Sequence, residues 1–261
     1  MLSRISRIIF FQLIYLFLYV PILCLVVLSF YHNSELSLHW YRVLYDNSAI
    51  WQSVWNSLKI AVTAATFSVF LGTFSAFAIA RRVNFSSKIL NMFVFVPIFL
   101  PEVVLGLSFF LFFAPLQNFL GWPPRGFYSV VIGHTTIALS YTVGIIQAQI
   151  NQIDTRIEEA ARNLGAHPYR VFVSITLPLL RPALLSSWLL AFLISFDDVV
   201  IASFTAGPQS PTLPMFLFSS VRLGVNPQIN AMATVIVVFS AILTIFVNFL
   251  MQRGIRRLLK S

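Results

Sequence analysis

Six apolar runs, each long enough to cross a bilayer as a helix, leave this chain little opportunity to fold in water. They cover Ile8–Phe30, Leu58–Ala80, Ile89–Phe113, Phe127–Gln147, Ala183–Ala206 and Ala231–Leu250, and about 20 apolar residues span the hydrocarbon core. Only 10% of the residues are charged and 58% are hydrophobic, whereas a soluble domain carries about 25% charged residues. A helix satisfies its own backbone polar groups in lipid. The expectation is therefore an all-α polytopic membrane protein with about six transmembrane helices. It forms a single transmembrane domain over residues 1–261, with its core at about 56–250. Arg4 and Arg7 before the first run suggest a secretory signal. That run is longer than a signal core and lacks a small-residue cleavage site, so it reads as an uncleaved span.

The bases fix an orientation. Arg4, Arg7, Arg81, Arg82, Lys88, Arg156, Arg162, Arg170, Arg181, Arg253, Arg256, Arg257 and Lys260 fall on one side of the runs, and only Arg42, Lys59, Arg125 and Arg222 on the other. The positive-inside rule puts both termini in the cytoplasm. The net charge of +9 flanks spans rather than forming a basic soluble face. Membrane lipid is the partner this implies, and nucleic acid is not. The single cysteine, Cys24, excludes an internal disulfide framework and a cysteine-based zinc site. No metal cluster is expected around His134 or His167. His134, near the external end of the fourth run, reads as a satisfied structural histidine, and His167 before Pro168 as a cap or a solvated side chain. Trp40, Tyr41, Trp51 and Trp55 lie in the first external loop, where interfacial anchoring accounts for them.

The longest polar interruption in the second half of the chain, residues 154–178, lies on the cytoplasmic side. Asp154 and Thr155 are candidate N-caps, Thr155 with Glu158 fits a capping box, and Glu158 can meet Arg162 one turn on. Gly165 stops this helix, and Pro168 suits the first turn of a second one running to about Leu177. The result is an amphipathic hairpin too polar to span. Three acids, Glu102, Asp197 and Asp198, sit inside apolar runs with no base expected at their depth. Such charges are costly and face an interior or a cavity. Glu102 lies thirteen residues into the third run and Asp197 about as far into the fifth, roughly 20 Å from the cytoplasmic end at 1.5 Å per residue. They are expected to form one acidic layer suited to a cation. Asp197 and Asp198 diverge by about 100° on a helix, and Trp188, Phe192 and Ser195 share the face of Asp198. That favours Asp198 as the pore-facing acid, with aromatics able to add cation–π contacts. Pro97 and Pro101 predict a kink just before Glu102.

Two resemblances follow from these residues. Glu159-Ala160-Ala161, three residues, Gly165, nine residues, then Ile175-x-Leu177-Pro178 resembles at every fixed position the EAA loop of ABC-importer permeases. Phe196-Asp197-Asp198 through Ala233-Thr234, with Asn56-Ser57-Leu58 opening the second run, is similar to the second permease subunit of spermidine/putrescine importers. Glu102 departs from that pattern, where Asp is common, as does Ser140-Tyr141, where many relatives have a proline-containing step. The resemblance implies a type I ABC importer permease fold in a bacterial inner membrane, with residues 154–178 as the cytoplasmic coupling hairpin. Glu159, Ala160, Ala161, Gly165, Leu177 and Pro178 would couple to an ATPase subunit dimer. A second, unlike permease subunit would complete a heterodimer, and a periplasmic binding protein would deliver the polyamine. Glu102, Asp197, Asp198, Trp188 and Phe192 would line its pathway. This chain has neither a phosphate loop nor a hydrolase motif. It would then be non-catalytic and bind no cofactor, with ATP and Mg on the partner ATPase. The alternatives are the same role for another small cation or an amino-acid derivative, or an autonomous cation carrier or channel.

Overall fold

A computed structural model describes residues 4–32, 35–81, 85–224 and 227–258. Arg82, Val225, Asn226 and Lys260, which entered the sequence argument, lie outside these residues. In chain order, α1 (Arg4–Leu28) leads through a short antiparallel hairpin of β1 (Tyr31–His32) and β2 (Glu35–Leu36) into α2 (His39–Asp46) and α3 (Ser48–Arg81). Then follow α4 (Phe85–Phe99), α5 (Glu102–Leu120), α6 (Phe127–Ile150), α7 (Thr155–Asn163) and α8 (Pro168–Val171). A π-helical segment, Phe172–Thr176, precedes α9 (Leu177–Asp197), α10 (Val200–Thr205), α11 (Leu213–Leu223) and α12 (Pro227–Leu258). Among the described residues, five helical stretches are long and apolar enough to cross a membrane: Phe10–Leu28, Ser48–Arg81, Glu102–Leu120, Phe127–Ile150 and Pro168–Asp197. Phe85–Phe99 and Pro227–Ile242 are shorter apolar helices.

The chain divides into two compact units, Met1–Gln52 with Phe216–Ile245 and Ser53–Met215 with Phe246–Ser261. In the first, α1 exposes apolar side chains along its described length, including Phe10, Phe17 and Leu23. Ser29 Oγ and Tyr41 OH lie 2.7 Å apart, and Trp40 Nε1 donates to the carbonyl of Tyr31 at 3.0 Å. These bonds tie α2 to the end of α1.

In the second unit α6 is the buried centre. Val143 and Ile146 pack with Ala76 and Ile79 of α3 and Leu180 of α9. Leu105 of α5, Ile137 of α6 and Ile201 of α10 make another cluster. Gly106 lets α5 and α10 touch closely, since a Cβ there would lie 2.5 Å from a ring carbon of Phe204.

Three expectations are corrected. The third run is broken rather than kinked, because α4 ends at Phe99 and α5 starts at Glu102. Pro101 has extended backbone (φ −57°, ψ 135°), lacks an N–H and pushes the residue before it out of the α region. The fifth run breaks at Asp198, also extended at φ −69°, ψ 128°, so Asp197 and Asp198 are not neighbours on one regular helix. The hairpin's second helix does not stop near Leu177, because α8 continues through the π segment into α9. The Leu177 N–H donates to Phe172, five residues back. Pro178 offers no N–H to Ser174 and its ring crowds that carbonyl, and a widened turn relieves the conflict.

Candidate functional site: a cytoplasmic hairpin and two broken spans

The hairpin begins where Asp154 caps α7, its carboxylate accepting from the Arg156 N–H at 2.9 Å. Asp154 is therefore the cap, and the expected Thr155–Glu158 box is not formed. Gly165 (φ +85°) ends the helix in the left-handed conformation that glycine adopts without a Cβ penalty. The Ala166 N–H reaches the Ala161 carbonyl at 3.1 Å and the Gly165 N–H reaches Arg162 at 2.9 Å. Together these bonds form a Schellman closure. His167 then caps α8, its Nδ1 accepting from the Tyr169 N–H at 3.3 Å.

This closure sorts the hairpin's side chains into two faces. Glu159 and Ala160 are exposed and Ala161 is half-buried. Leu164 is 89% exposed and Tyr169 72%, so the hairpin also exposes apolar groups. Leu177 and Pro178 are half-buried where the π segment gives way to α9. Glu158 turns inward. It does not pair with Arg162, as spacing suggested, because Arg81 Nη2 and Thr176 Oγ1 both bond its Oε1 at 2.8 Å. Periodicity pointed to an exposed face for Glu158, and nothing in the local sequence indicated partners from two other helices.

The membrane acids have three different environments. Glu102 is exposed at the first position of α5, directly after the α4–α5 break. Asp197 is exposed at the end of α9. Asp198 is occupied: its Oδ2 lies 3.0 Å from His134 Nε2 and accepts from the Ala202 N–H at 2.8 Å. Its Oδ1 accepts from the Ile201 N–H at 3.2 Å. His134, buried to 1% exposure, also meets Ser195 Oγ through Nδ1 at 2.7 Å. One imidazole thus bridges the end of α9 and the cap of α10. The expectation that no base lies at the depth of these acids is corrected for Asp198. Asp198, expected to be the pore-facing acid, is held by these partners, and Asp197 is the more exposed of the pair. Trp188, Phe192 and Phe196 stack in sequence at centroid spacings of 5.6 Å and 5.6 Å, and Trp188 Nε1 donates to Thr66 Oγ1 at 3.1 Å. This column runs along α9 to the residue before Asp197, with Phe192 buried inside it.

Residues 68–260 match the family described as binding-protein-dependent transport system inner membrane component. The chain belongs to this family. The permease is 43% identical over 259 residues to the Escherichia coli (strain K12) putrescine transport system permease protein PotI, covering 95% of this chain and 91% of that protein. It is 34% identical over 252 residues to the spermidine/putrescine transport system permease protein PotC of the same strain, covering 94% and 93%. Its fold is similar to a chain of a bacterial ABC transporter involved in import of the acidic polysaccharide alginate. That likeness has a TM-score of 0.76 at 16% identity, over 95% of this chain and 98% of the other. An amino acid ABC transporter chain aligns with a TM-score of 0.60 at 18% identity, over 82% and 98%. The permease is thus a multi-pass inner-membrane transport subunit with the ABC permease fold.

Proposed function

We propose that this chain is one of two unlike permease subunits of an ATP-driven importer of polyamines, with both termini and the hairpin in the cytoplasm. An ATPase dimer would dock on the outward face of α7, around Glu159, Ala160 and Leu164, and would hold the ATP and Mg. A periplasmic binding protein would load the cargo. The observation that carries the substrate is the exposed carboxylate of Asp197 at the end of a membrane helix. Glu102 supplies a second exposed acid at another helix break. An unpaired carboxylate inside a membrane suits a passing cation, and the 43% identity to a putrescine permease supports the same cargo class. The stacked Trp188 adds an aromatic face for an ammonium group. Asp198 belongs to the scaffold of this pathway, holding the helix break that carries Asp197.

Uptake of labelled putrescine and spermidine by cells with and without this gene, the neighbouring transport subunits intact, tests the proposal. Loss of energy-dependent uptake of either compound supports it. Unchanged uptake of both would return the acids to another cation or to a structural role.

A further inference from the structure

The hairpin joins the membrane helices through a contact that periodicity concealed. Arg81 is the last residue of α3, where a cation complements the helix C-terminus, and Glu158 lies in the first turn of α7, where an anion complements the N-terminus. Thr176 belongs to the π segment below α9. Glu158 Oε1 accepts from both Arg81 and Thr176, at 2.8 Å each, across 77 and 18 residues of sequence. The Glu158 side chain is 11% exposed and that of Arg81 27%. This is a mostly buried, charge-assisted junction of three elements.

Its surroundings make it mechanically important. A cavity of about 380 Å³ lies beside it, bordered by Phe77, Glu159, Arg162, Pro168 and Phe172. Apolar packing therefore leaves a gap between α7 and the base of the fifth span, and the ion pair bridges α7 to α3 beside it. α7 is bounded by the Asp154 cap and the Gly165 turn and packs against α8. Glu159 and Ala160 are exposed, and Glu159 also borders the cavity.

We propose that Arg81, Glu158 and Thr176 form a transmission strut: positioning residues that fix the outward-facing coupling helix to two membrane spans at once. Movement of a docked ATPase then reaches α3 and α9 together. The inference rests on the reading of the hairpin as the ATPase dock.

The test uses the complete complex in proteoliposomes with its binding protein and labelled putrescine, and reads cargo transported per ATP hydrolysed at equal ATPase content. Arg81→Glu and Glu158→Arg should each lower this ratio severalfold while hydrolysis continues. The double reversal should recover most of it, and Thr176→Val should lower it by a smaller factor. Unchanged ratios in the single variants, or a double variant as poor as either single with its ATPase bound, would overturn the strut. If the reversals do not assemble, Arg81→Cys/Glu158→Cys in a Cys24→Ser background takes their place. A thiol-specific bridge of matched length should then restore the ratio over the unbridged form, and a bridge that restores nothing overturns the proposal. Ala160→Arg, at an exposed docking-face residue away from the cavity lining, separates the two readings. It should weaken ATPase binding with the strut intact, and normal binding and transport in that variant would reject the dock, not the junction.

Discussion

Replacing each of the paired acids by asparagine should give two different phenotypes. The Asp198 carboxylate receives His134, Ile201 and Ala202, two of them on Oδ2. Asparagine presents one oxygen and one NH2. With its oxygen in the Oδ2 position it keeps His134 and Ala202, but turns a donor toward the Ile201 N–H. With its oxygen in the Oδ1 position it keeps Ile201 and opposes the Ala202 N–H. Either way one backbone donor of α10 faces a donor in a site screened from water, at a cost of about 1–3 kcal/mol. Every 1.4 kcal/mol is about tenfold, so the formed break loses roughly five- to a hundredfold against its opened form. The Asp198→Asn complex should show a lower midpoint of heat-induced aggregation in detergent, by a few degrees, as well as reduced transport. Asp197 is exposed at the helix end, so Asp197→Asn should leave the midpoint unchanged and weaken polyamine uptake. Wild-type thermal behaviour in Asp198→Asn together with lost uptake would refute the scaffold role, because Asp198 would then be meeting the cargo.

Gly106→Leu should lower the yield of folded complex and cost about 1–3 kcal/mol of stability, since even its Cβ falls 2.5 Å from Phe204; a normal yield and melting midpoint would contradict the α5–α10 contact. Pro178→Ala restores an N–H to Ser174 and should let the π segment relax toward α geometry, turning α7 and α8 by about 100° relative to α9. Transport per ATP should fall with ATPase still bound, and an unchanged ratio would show that the π turn is not needed. Gly165→Val forces a β-branched residue into φ +85°, at a cost of about 1–2 kcal/mol; co-purified ATPase should decrease, and an unchanged amount would argue against the hairpin's shape as the docking element.

The sequence revealed what depends on local pattern. Apolar length placed the first, second and fourth spans, while the third and fifth runs are each broken, and the spacing of Glu159, Ala160, Ala161 and Gly165 located a hairpin that the structure closes with a Schellman turn. Proline marked the α4–α5 break, although its extent depends on how Pro101 extends the backbone. The α9–α10 break carried no such mark. Asp198 sits in an unbroken apolar run, and the groups that hold it include His134, 64 residues away. Glu158 differs for the same reason: periodicity gives the face of a residue on an isolated helix, while Arg81 arrives from 77 residues away. Long-range hydrogen bonds to charged groups override both helix propensity and i,i+4 pairing, whose contribution is only about 0.2–0.5 kcal/mol.

The most direct test of the central claim is ATP-dependent accumulation of labelled putrescine and spermidine in proteoliposomes. These would contain this permease, its partner permease and the ATPase, with the binding protein outside. The account predicts concentrative uptake of at least one polyamine that requires both ATP and the binding protein, and that falls with Asp197→Asn. Uptake that persists without ATP would contradict the importer, and ATP-driven exclusion of both polyamines would contradict the cargo.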